Sequence, residues 1–303
     1  MPAELPTPQQ TFAIEMTDGA IIHVRQYGRS NGCRLFLSHG NGFAIDGYVP
    51  FWRPLLERFE VILFDFRNHG SNPPSAPENH HYAQMASDIN RVLDGVEDRF
   101  GTKTSVGVFH SMSARAAMKH AIEVDWRWDA LVLFDPPNVP PPGHPVYESM
   151  CRFENSLMRW ARERRNRFHD PDQLARYYAE SRAHRNWVPE AHYAMARAVL
   201  RHDASSGDWA LVCPRELEAL IYAAALTLNL WPPREAFAGP VALFGADPDC
   251  LGAPPTAAAN RALHEEFGYR YAVVPDAGHL LQIERPQACI DALLKFLEET
   301  GVC

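Results

Sequence analysis

The sequence lacks any apolar run long enough to cross a membrane. A spanning helix needs about 20 consecutive apolar residues, and no stretch of the 303-residue chain approaches that length. The first ten residues, MPAELPTPQQ, contain neither the basic nor the apolar segment of a secretory signal. These absences predict a soluble, cytoplasmic protein.

Positive charge is also scarce. The chain has 29 lysines and arginines against 37 aspartates and glutamates, a formal net charge of −8. Such a chain has no overall attraction to the phosphates of nucleic acids or to anionic membranes. We therefore expect a small-molecule substrate as the partner, with neither nucleic acid nor a membrane involved. The sequence does not indicate an oligomeric state.

The cysteines form neither a Cys-x-x-Cys pair nor a group with the spacing of a zinc site. Six are scattered along the chain: Cys33, Cys151, Cys213, Cys250, Cys289 and Cys303. In a chain of this size, scattered cysteines predict reduced and mostly buried thiols. No metal site is expected.

Short apolar runs alternate with segments of helical spacing. The chain opens with two alternating segments joined by Asp18-Gly19, a pattern typical of a β-hairpin. The later runs suit strands buried on both faces: Leu35–Leu37, Val61–Phe64, Ser105–Phe109, Leu131–Phe134, Val241–Phe244 and Tyr271–Val274. The order predicts an α/β fold, with a mostly parallel, doubly wound sheet of about eight strands.

The alternation stops after Asp135. Residues 136–235 contain a proline-rich turn and several helical, aromatic-rich stretches, but no evident buried strand. Because the chain then returns directly to a strand at Val241, we expect a helical cap inserted into a core formed by residues 1–135 and 236–303. A second independent domain is the alternative. The cap carries residues that could line a pocket: Trp160, Tyr177, Tyr178, Trp187, Tyr193, Met195, Trp209 and Trp231. Most of them are expected to pack the cap against the core.

A serine lies where an apolar strand gives way to a helix, in Gly107-Val-Phe-His-Ser-Met-Ser-Ala114. A serine at such a sharp turn projects its hydroxyl above the sheet edge, beside the positive end of the helix. A serine that merely caps the helix is the alternative. The run His-Ser-Met followed by small residues resembles the nucleophile elbow of the α/β-hydrolase superfamily. The sequence departs from that pattern at Phe109 and Ser113, where the family usually has glycine. The resemblance implies that Ser111 is the nucleophile.

Three further motifs resemble the same superfamily in the same order. Ser38-His-Gly-Asn-Gly-Phe43 resembles the oxyanion loop, so the backbone amides of Asn41 and Met112 are the implied oxyanion hole. Asp65-Phe-Arg-Asn-His-Gly-Ser71 is interpreted as a structural turn, with His69 a turn histidine. His279 lies after the last strand and before Glu284-Arg-Pro286, which implies that it is the catalytic base.

The acid of the triad has three candidates. The superfamily order is serine, acid, histidine, and the acid usually follows the strand that here ends near Phe244. Asp247 is the preferred candidate on that basis, with Asp249 two residues later as an alternative. Asp135, at the end of the preceding strand, is the third, since some branches of the superfamily carry their acid there.

The resemblance implies a serine hydrolase without a metal or organic cofactor. A serine nucleophile argues against the haloalkane dehalogenase and epoxide hydrolase branches, which attack through a carboxylate. We expect hydrolysis of an ester or lactone of a medium-sized, largely apolar substrate, through an acyl-enzyme on Ser111. The alternatives are hydrolysis of a carbon–carbon bond in a vinylogous diketone, a non-enzymatic ligand-binding relative, and a cofactor-free dioxygenase that uses the His–Asp pair.

Overall fold

The computed structural model describes residues 5–303 and contains eleven strands in that part of the chain. In chain order they are β1 (Gln10–Glu15), β2 (Ile21–Gly28), β3 (Arg34–Leu37), β4 (Glu60–Phe64), β5 (Ser105–His110), β6 (Ala130–Phe134), β7 (Arg167–Phe168), β8 (Leu200–His202), β9 (Trp209–Leu211), β10 (Val241–Ala246) and β11 (Arg270–Val274). Eight of them form one sheet in the order β1-β2-β4-β3-β5-β6-β10-β11. The pairings β1–β2 and β2–β4 are antiparallel and the rest are parallel. The predicted fold class is confirmed.

The part of the chain that the structure describes contains ten α-helices. They are α1 (Val49–Trp52), α2 (Tyr82–Phe100), α3 (Met112–Glu123), α4 (Tyr147–Glu163), α5 (Pro171–Glu180), α6 (Pro189–Ala198), α7 (Arg215–Ala225), α8 (Pro255–Phe267), α9 (Leu281–Glu284) and α10 (Pro286–Thr300). Successive strand residues belong to different hydrophobic clusters: Leu35 and Leu37 pack with α1 and α10, whereas Phe36 packs with α2 and α3. This is why the strands read as continuous apolar runs.

The register of two central strands brings two predicted site residues together. His110 pairs with Phe134 where the parallel strands β5 and β6 end. The next residues along the chain are Ser111 and Asp135, which therefore leave the sheet side by side at its carboxyl edge. The backbone amide of Ser111 donates to the carbonyl of Phe134 at 3.0 Å and holds the two turns in contact.

The segment between β6 and β10 carries helices α4 to α7 and a small antiparallel sheet in the order β7-β9-β8. The segment expected to form a helical cap thus contains three short strands besides its helices. The three strands are two or three residues long, too short to produce an alternating pattern in the sequence. The segment packs on the core through Met195, which lies against Gly47, and through Val188, whose amide donates to the carbonyl of Ile283 at 2.9 Å.

Within residues 5–303 no helix has both the length and the apolar character to cross a membrane. The expectation about a secretory signal concerns residues 1–10, of which 1–4 lie outside the described residues.

Two of the cysteines correct the expectation that all six are reduced. Cys33 and Cys303 form a disulfide with Cα atoms 5.8 Å apart, which joins the start of β3 to the end of the chain. The sequence separation of 270 residues hid this pairing, because only the folded chain brings the two together. Cys151, Cys213, Cys250 and Cys289 are free thiols.

The disulfide should contribute measurably to stability. Replacing Cys303 by serine removes a cross-link that restricts the unfolded chain, so we expect the free energy of unfolding to fall by about 2–4 kcal/mol. Urea denaturation without reductant measures this, with the exposed free thiol variant Cys250→Ser as the matched control. Thiol titration of the unsubstituted protein after denaturation should find four thiols, one for each free cysteine. Six thiols, with no loss of stability in Cys303→Ser, would contradict the bond.

Candidate active site

The turn between β5 and α3 holds Ser111 in a conformation that few side chains adopt. Its backbone angles are φ 53° and ψ −114°, in a region that costs of order 1–3 kcal/mol for a non-glycine residue. The hydroxyl lies at the start of α3, and the residue is buried. Two backbone hydrogen bonds keep Ser111 in this strained conformation. The Ser111 amide donates to the carbonyl of Phe134, and the Ser111 carbonyl accepts from the amide of Arg115 at 3.1 Å.

The two departures from the family pattern fit this turn. Phe109 points into the sheet core, where its ring packs edge-on to Trp128 at 5.5 Å between centroids. It has room because Gly107 lies beside it: a Cβ on Gly107 would lie 2.6 Å from that ring. Ser113 closes the turn with its side chain. Its Oγ accepts from the His110 amide at 2.9 Å and donates to the His110 carbonyl at 2.8 Å.

Ser111, His279 and Asp135 form a hydrogen-bonded line. Ser111 Oγ lies 3.0 Å from His279 Nε2, and His279 Nδ1 lies 2.6 Å from Asp135 Oδ2. A carboxylate accepts only, so His279 carries its proton on Nδ1 and presents the Nε2 lone pair to the serine hydroxyl. This is the geometry that a serine nucleophile and its base require.

The carboxylate of Asp135 is oriented by α8. Thr256 Oγ1 donates to Asp135 Oδ2 at 2.5 Å, and Asn260 Nδ2 donates to Asp135 Oδ1 at 2.8 Å. Both supporting residues were missed in the sequence. A signal was present, because two buried polar residues four positions apart share one face of an alanine-rich helix.

The structure pairs His279 with Asp135 and places the carboxylate of Asp247, the preferred acid candidate, against residues of its own loop. Asp247 Oδ1 accepts from the amide of Asp249, and its Oδ2 lies 3.4 Å from Cys250 Sγ. Asp249 is exposed and forms an ion pair with Arg261 at 2.9 Å. The position beside His279 is already filled by Asp135 at the end of the neighbouring strand, so both later aspartates serve the loop and not the histidine.

The backbone amides of Asn41 and Met112 are free at the site. Asn41 lines the same cavity as Ser111, and Met112 is the first residue of α3. Neither amide has an acceptor among residues 5–303. The Asn41 side chain is occupied elsewhere, since its Nδ2 donates to the carbonyl of Glu218 at 2.8 Å. These two amides are therefore available to an oxygen of a bound substrate.

The turn after β4 supports the oxyanion loop, although its charged residues do not pair with each other. Asp65 Oδ1 accepts from the amide of Ile45 at 2.7 Å. Arg67 is fully buried, and its guanidinium donates to Asp88 at 2.6 Å. The turn is thus held by separate charge-assisted hydrogen bonds.

His69 is a structural residue of that turn. Its Nε2 accepts from the amide of Gly42 at 3.2 Å, and its Nδ1 bonds to the carbonyl of Arg67 at 2.9 Å. Complete burial lowers the pKa of His69 well below its usual value, so the ring stays neutral. Both ring nitrogens are occupied, which leaves none to act on Ser111.

A cavity of about 440 Å³ lies above the serine, between the core and the inserted segment. Its apolar lining comprises Phe43, Phe153, Leu157, Trp160, Pro254 and Leu280, and its polar lining includes Asn41, Arg182, Asn186, Tyr222 and Glu284. Phe153 of α4 approaches the ring of His279 edge-on, with centroids 5.9 Å apart. The loop that carries Asp247 contributes Gly252 and Pro254 to the lining.

Two buried ion pairs lie near the site, one between the core and the inserted segment and one within the inserted segment. Arg115 of α3 donates to Glu154 of α4 at 2.5 Å, and Arg164 contacts Glu218 of α7 at 3.0 Å. Burial is the main cause that raises the pKa of each of the two glutamates, against the opposing effect of its arginine. Burial likewise raises the pKa of Tyr222 well above its usual value, so its hydroxyl stays protonated in the cavity.

Most of the aromatic residues that the sequence singled out in the inserted segment do not line this cavity. Only Trp160 of that set does so. Tyr178, Trp187 and Met195 are buried within the segment or against the core. Among residues 5–303, no group of three or more His, Cys, Asp or Glu side chains could hold a metal ion.

Comparisons with known proteins agree with the fold. A segment of 116 residues is 28% identical to the protein provisionally named carbamate hydrolase RutD from Caulobacter sp. (strain K31), covering 38% of this chain but only 42% of that relative. The structure of E-2-(acetamidomethylene)succinate hydrolase superposes with a TM-score of 0.75 at 17% identity, over 95% of this chain and 99% of the other. A thermophilic esterase from Thermogutta terrifontis gives 0.66 at 19% identity, over 96% and 99%.

The sequence model of the alpha/beta hydrolase family matches residues 35–292. This range begins in β3, includes Ser111, Asp135 and His279, and ends in α10. The match spans most of the chain and agrees with the sheet order, the strained serine turn and the hydrogen-bonded histidine. The chain therefore belongs to the alpha/beta hydrolase family.

Proposed function

We propose that this hydrolase cleaves an ester or lactone by forming an acyl-enzyme on Ser111. The observation that carries the proposal is the line of hydrogen bonds from Ser111 through His279 to Asp135, at 3.0 and 2.6 Å. It lies beneath a cavity large enough for a small acyl substrate.

In the first half of the reaction, Ser111 Oγ attacks the carbonyl carbon while its proton passes to His279 Nε2. The carboxylate of Asp135 stabilises the imidazolium that forms. The carbonyl oxygen becomes an oxyanion and accepts from the amides of Asn41 and Met112. Losing one donor of this kind typically costs about 3–4 kcal/mol of transition-state stabilisation. When the intermediate collapses, His279 returns the proton to the leaving oxygen.

In the second half, water takes the place of the leaving group. His279 removes a proton from the water as its oxygen attacks the acyl carbon, and the same two amides hold the second oxyanion. Collapse then releases the carboxylic acid, and the proton returns from His279 to Ser111 Oγ. His279 Nε2 therefore carries both the proton that leaves the serine and the proton that leaves the water.

The cavity favours a largely apolar acyl group. Aromatic and aliphatic side chains from both the core and the inserted segment line it, with a small number of polar groups that could orient the substrate. The chemistry at Ser111 is compatible with other acyl groups, so carbamates and amides belong in the same test panel because a relative is named for carbamate hydrolysis. We propose a small molecule as the only partner required.

The cytoplasmic location stays a prediction. The Cys33–Cys303 disulfide weighs against it, since disulfides persist mainly in oxidising compartments. One measurement tests both the cytoplasmic location and the disulfide: the redox state of Cys33 and Cys303 in protein taken from its native cells.

The first test compares p-nitrophenyl esters of different acyl lengths on the native protein and on Ser111→Ala. We expect turnover in the native protein, and a fall of about 10⁴-fold or more in the variant because the attacking oxygen is gone. A fluorophosphonate should label the native protein and not the variant. Native protein that neither turns over nor labels would contradict the proposal and would favour the ligand-binding or oxygenase alternatives.

The acid is tested by two matched substitutions. Asp135→Asn should lower kcat by about 10³- to 10⁴-fold, because the amide no longer holds His279 in the tautomer that accepts the serine proton. Asp247→Asn keeps the size of a loop carboxylate that does not touch His279 and should leave kcat nearly unchanged. Steady-state kinetics on the preferred ester measures both. The reverse order of effects would restore Asp247 as the acid.

The proposal that this cavity binds the acyl chain is tested by reducing its volume. Leu157→Trp adds a bulky ring to the α4 side of the cavity and should shift the preferred acyl chain to a shorter length by raising KM for long esters. The control is Leu220→Trp on α7, where the leucine is 48% exposed and does not line the cavity. Equal acyl-length profiles in native protein and Leu157→Trp would exclude this cavity as the acyl site.

A further inference from the structure

We infer that Tyr48 and His110 are positioning residues that lock the three catalytic loops into one arrangement, an inference that rests on the proposed function. Four residues form what we call the relay: Gly40, Tyr48, His110 and His279. Gly40 precedes the proposed oxyanion donor, His110 precedes Ser111, and His279 is the proposed base. Each of the three loops therefore contributes one member, and Tyr48 joins them from the turn before α1.

Three hydrogen bonds make up the relay. The Gly40 amide donates to Tyr48 Oη at 3.1 Å, Tyr48 Oη lies 2.8 Å from His110 Nδ1, and His110 Nε2 lies 2.8 Å from the carbonyl oxygen of His279. Tyr48 and His110 are both completely buried. Water therefore cannot replace a lost partner at little cost.

The donor and the acceptor of each hydrogen bond in the relay can be assigned. The His279 carbonyl only accepts, so His110 must carry its proton on Nε2. Burial lowers the pKa of His110 well below its usual value, so the ring is neutral and its Nδ1 must accept. Tyr48 Oη then donates to Nδ1 and uses a lone pair for the Gly40 amide. Burial raises the pKa of Tyr48, which keeps that proton on the hydroxyl.

Close packing reinforces the bonds. A Cβ at residue 40 would lie 3.0 Å from His110 Nδ1 and 3.3 Å from Tyr48 Oη, so the relay leaves little space for any residue except glycine there. The rings of His110 and His279 pack with centroids 5.0 Å apart. The side chain of His110 thus contacts both the backbone and the imidazole of His279. His110 is also the residue directly before Ser111 in the chain.

Neutrality of His110 also matters to the reaction. During attack, His279 becomes an imidazolium, and a second positive charge at this distance would oppose it. A buried histidine whose two nitrogens are assigned to a carbonyl and a phenol supports the base without competing for its proton. The relay therefore acts on geometry and leaves the proton transfer to His279.

The test removes the relay one bond at a time. Tyr48→Phe keeps the ring and deletes the hydroxyl, so we expect kcat to fall roughly 10- to 100-fold from misplacement of the loops, with KM within about twofold of native because the cavity lining is untouched. The rate of fluorophosphonate labelling should fall by the same factor. His110→Ala should lose at least as much, and His110→Gln should recover part of the loss because its amide can still donate to the His279 carbonyl.

The matched control is Tyr269→Phe. Tyr269 is buried and its hydroxyl makes one hydrogen bond, to the carbonyl of Pro232 at 2.9 Å, away from the cavity. This variant also loses a buried hydroxyl, with one hydrogen bond where Tyr48→Phe loses two, and should lose stability in urea denaturation, but its kcat and labelling rate should stay native. If Tyr48→Phe matches Tyr269→Phe in kcat as well as in stability, the relay is structural only and the inference is overturned.

The outcomes separate this inference from the proposed function. If native protein hydrolyses esters and Tyr48→Phe does so equally well, the relay fails while the function stands. If native protein neither hydrolyses nor labels, the function fails, and the relay is judged by proton NMR. The Nδ1 proton of His279, bonded to Asp135, should give a downfield resonance in native protein and in Tyr269→Phe. That resonance should shift or broaden in Tyr48→Phe, and an unchanged resonance would overturn the relay.

Discussion

The hydrogen bond between His279 and Asp135 is the contact on which the rest of the site depends. It joins the loop after β11 to the end of β6, across β10. Once Asp135 accepts from Nδ1, the ring has one orientation and one tautomer, and Nε2 faces Ser111. Helix α8 donates to the same carboxylate through Thr256 and Asn260, so a helix outside the cavity fixes the orientation of the group that His279 contacts.

Three buried histidines at the sheet edge around this contact are neutral. Burial lowers the pKa values of His39, His69 and His110, and each of these rings uses both nitrogens in hydrogen bonds. A buried polar group is costly when unpaired and stabilising when satisfied. The loops that carry the site are therefore held by fixed donors and acceptors.

Much of the fold was predictable because its central strands, β3, β4, β5, β6 and β10, are buried on both faces. Continuous apolar runs marked every parallel strand, and Asp18-Gly19 marked the hairpin. The helix α2 has a regular apolar face, and Gly101 ends it. The short strands β7 to β9 and the Cys33–Cys303 bond were not predictable. Two- or three-residue strands have no period to detect, and a bond across 270 residues of sequence has no local signal.

The sequence by itself determined the family, the proposed nucleophile and the proposed base, because Ser111 and His279 each lie in a local motif whose meaning does not depend on distant residues. It could not decide the acid. Asp135 and Asp247 both follow a buried strand, and local spacing favoured Asp247. Only the tertiary structure shows which of them contacts His279: the register that pairs His110 with Phe134 brings Asp135 within hydrogen-bond distance of its imidazole. The relay through Tyr48 was equally invisible, since its four members come from separate loops that meet only when the sheet has formed.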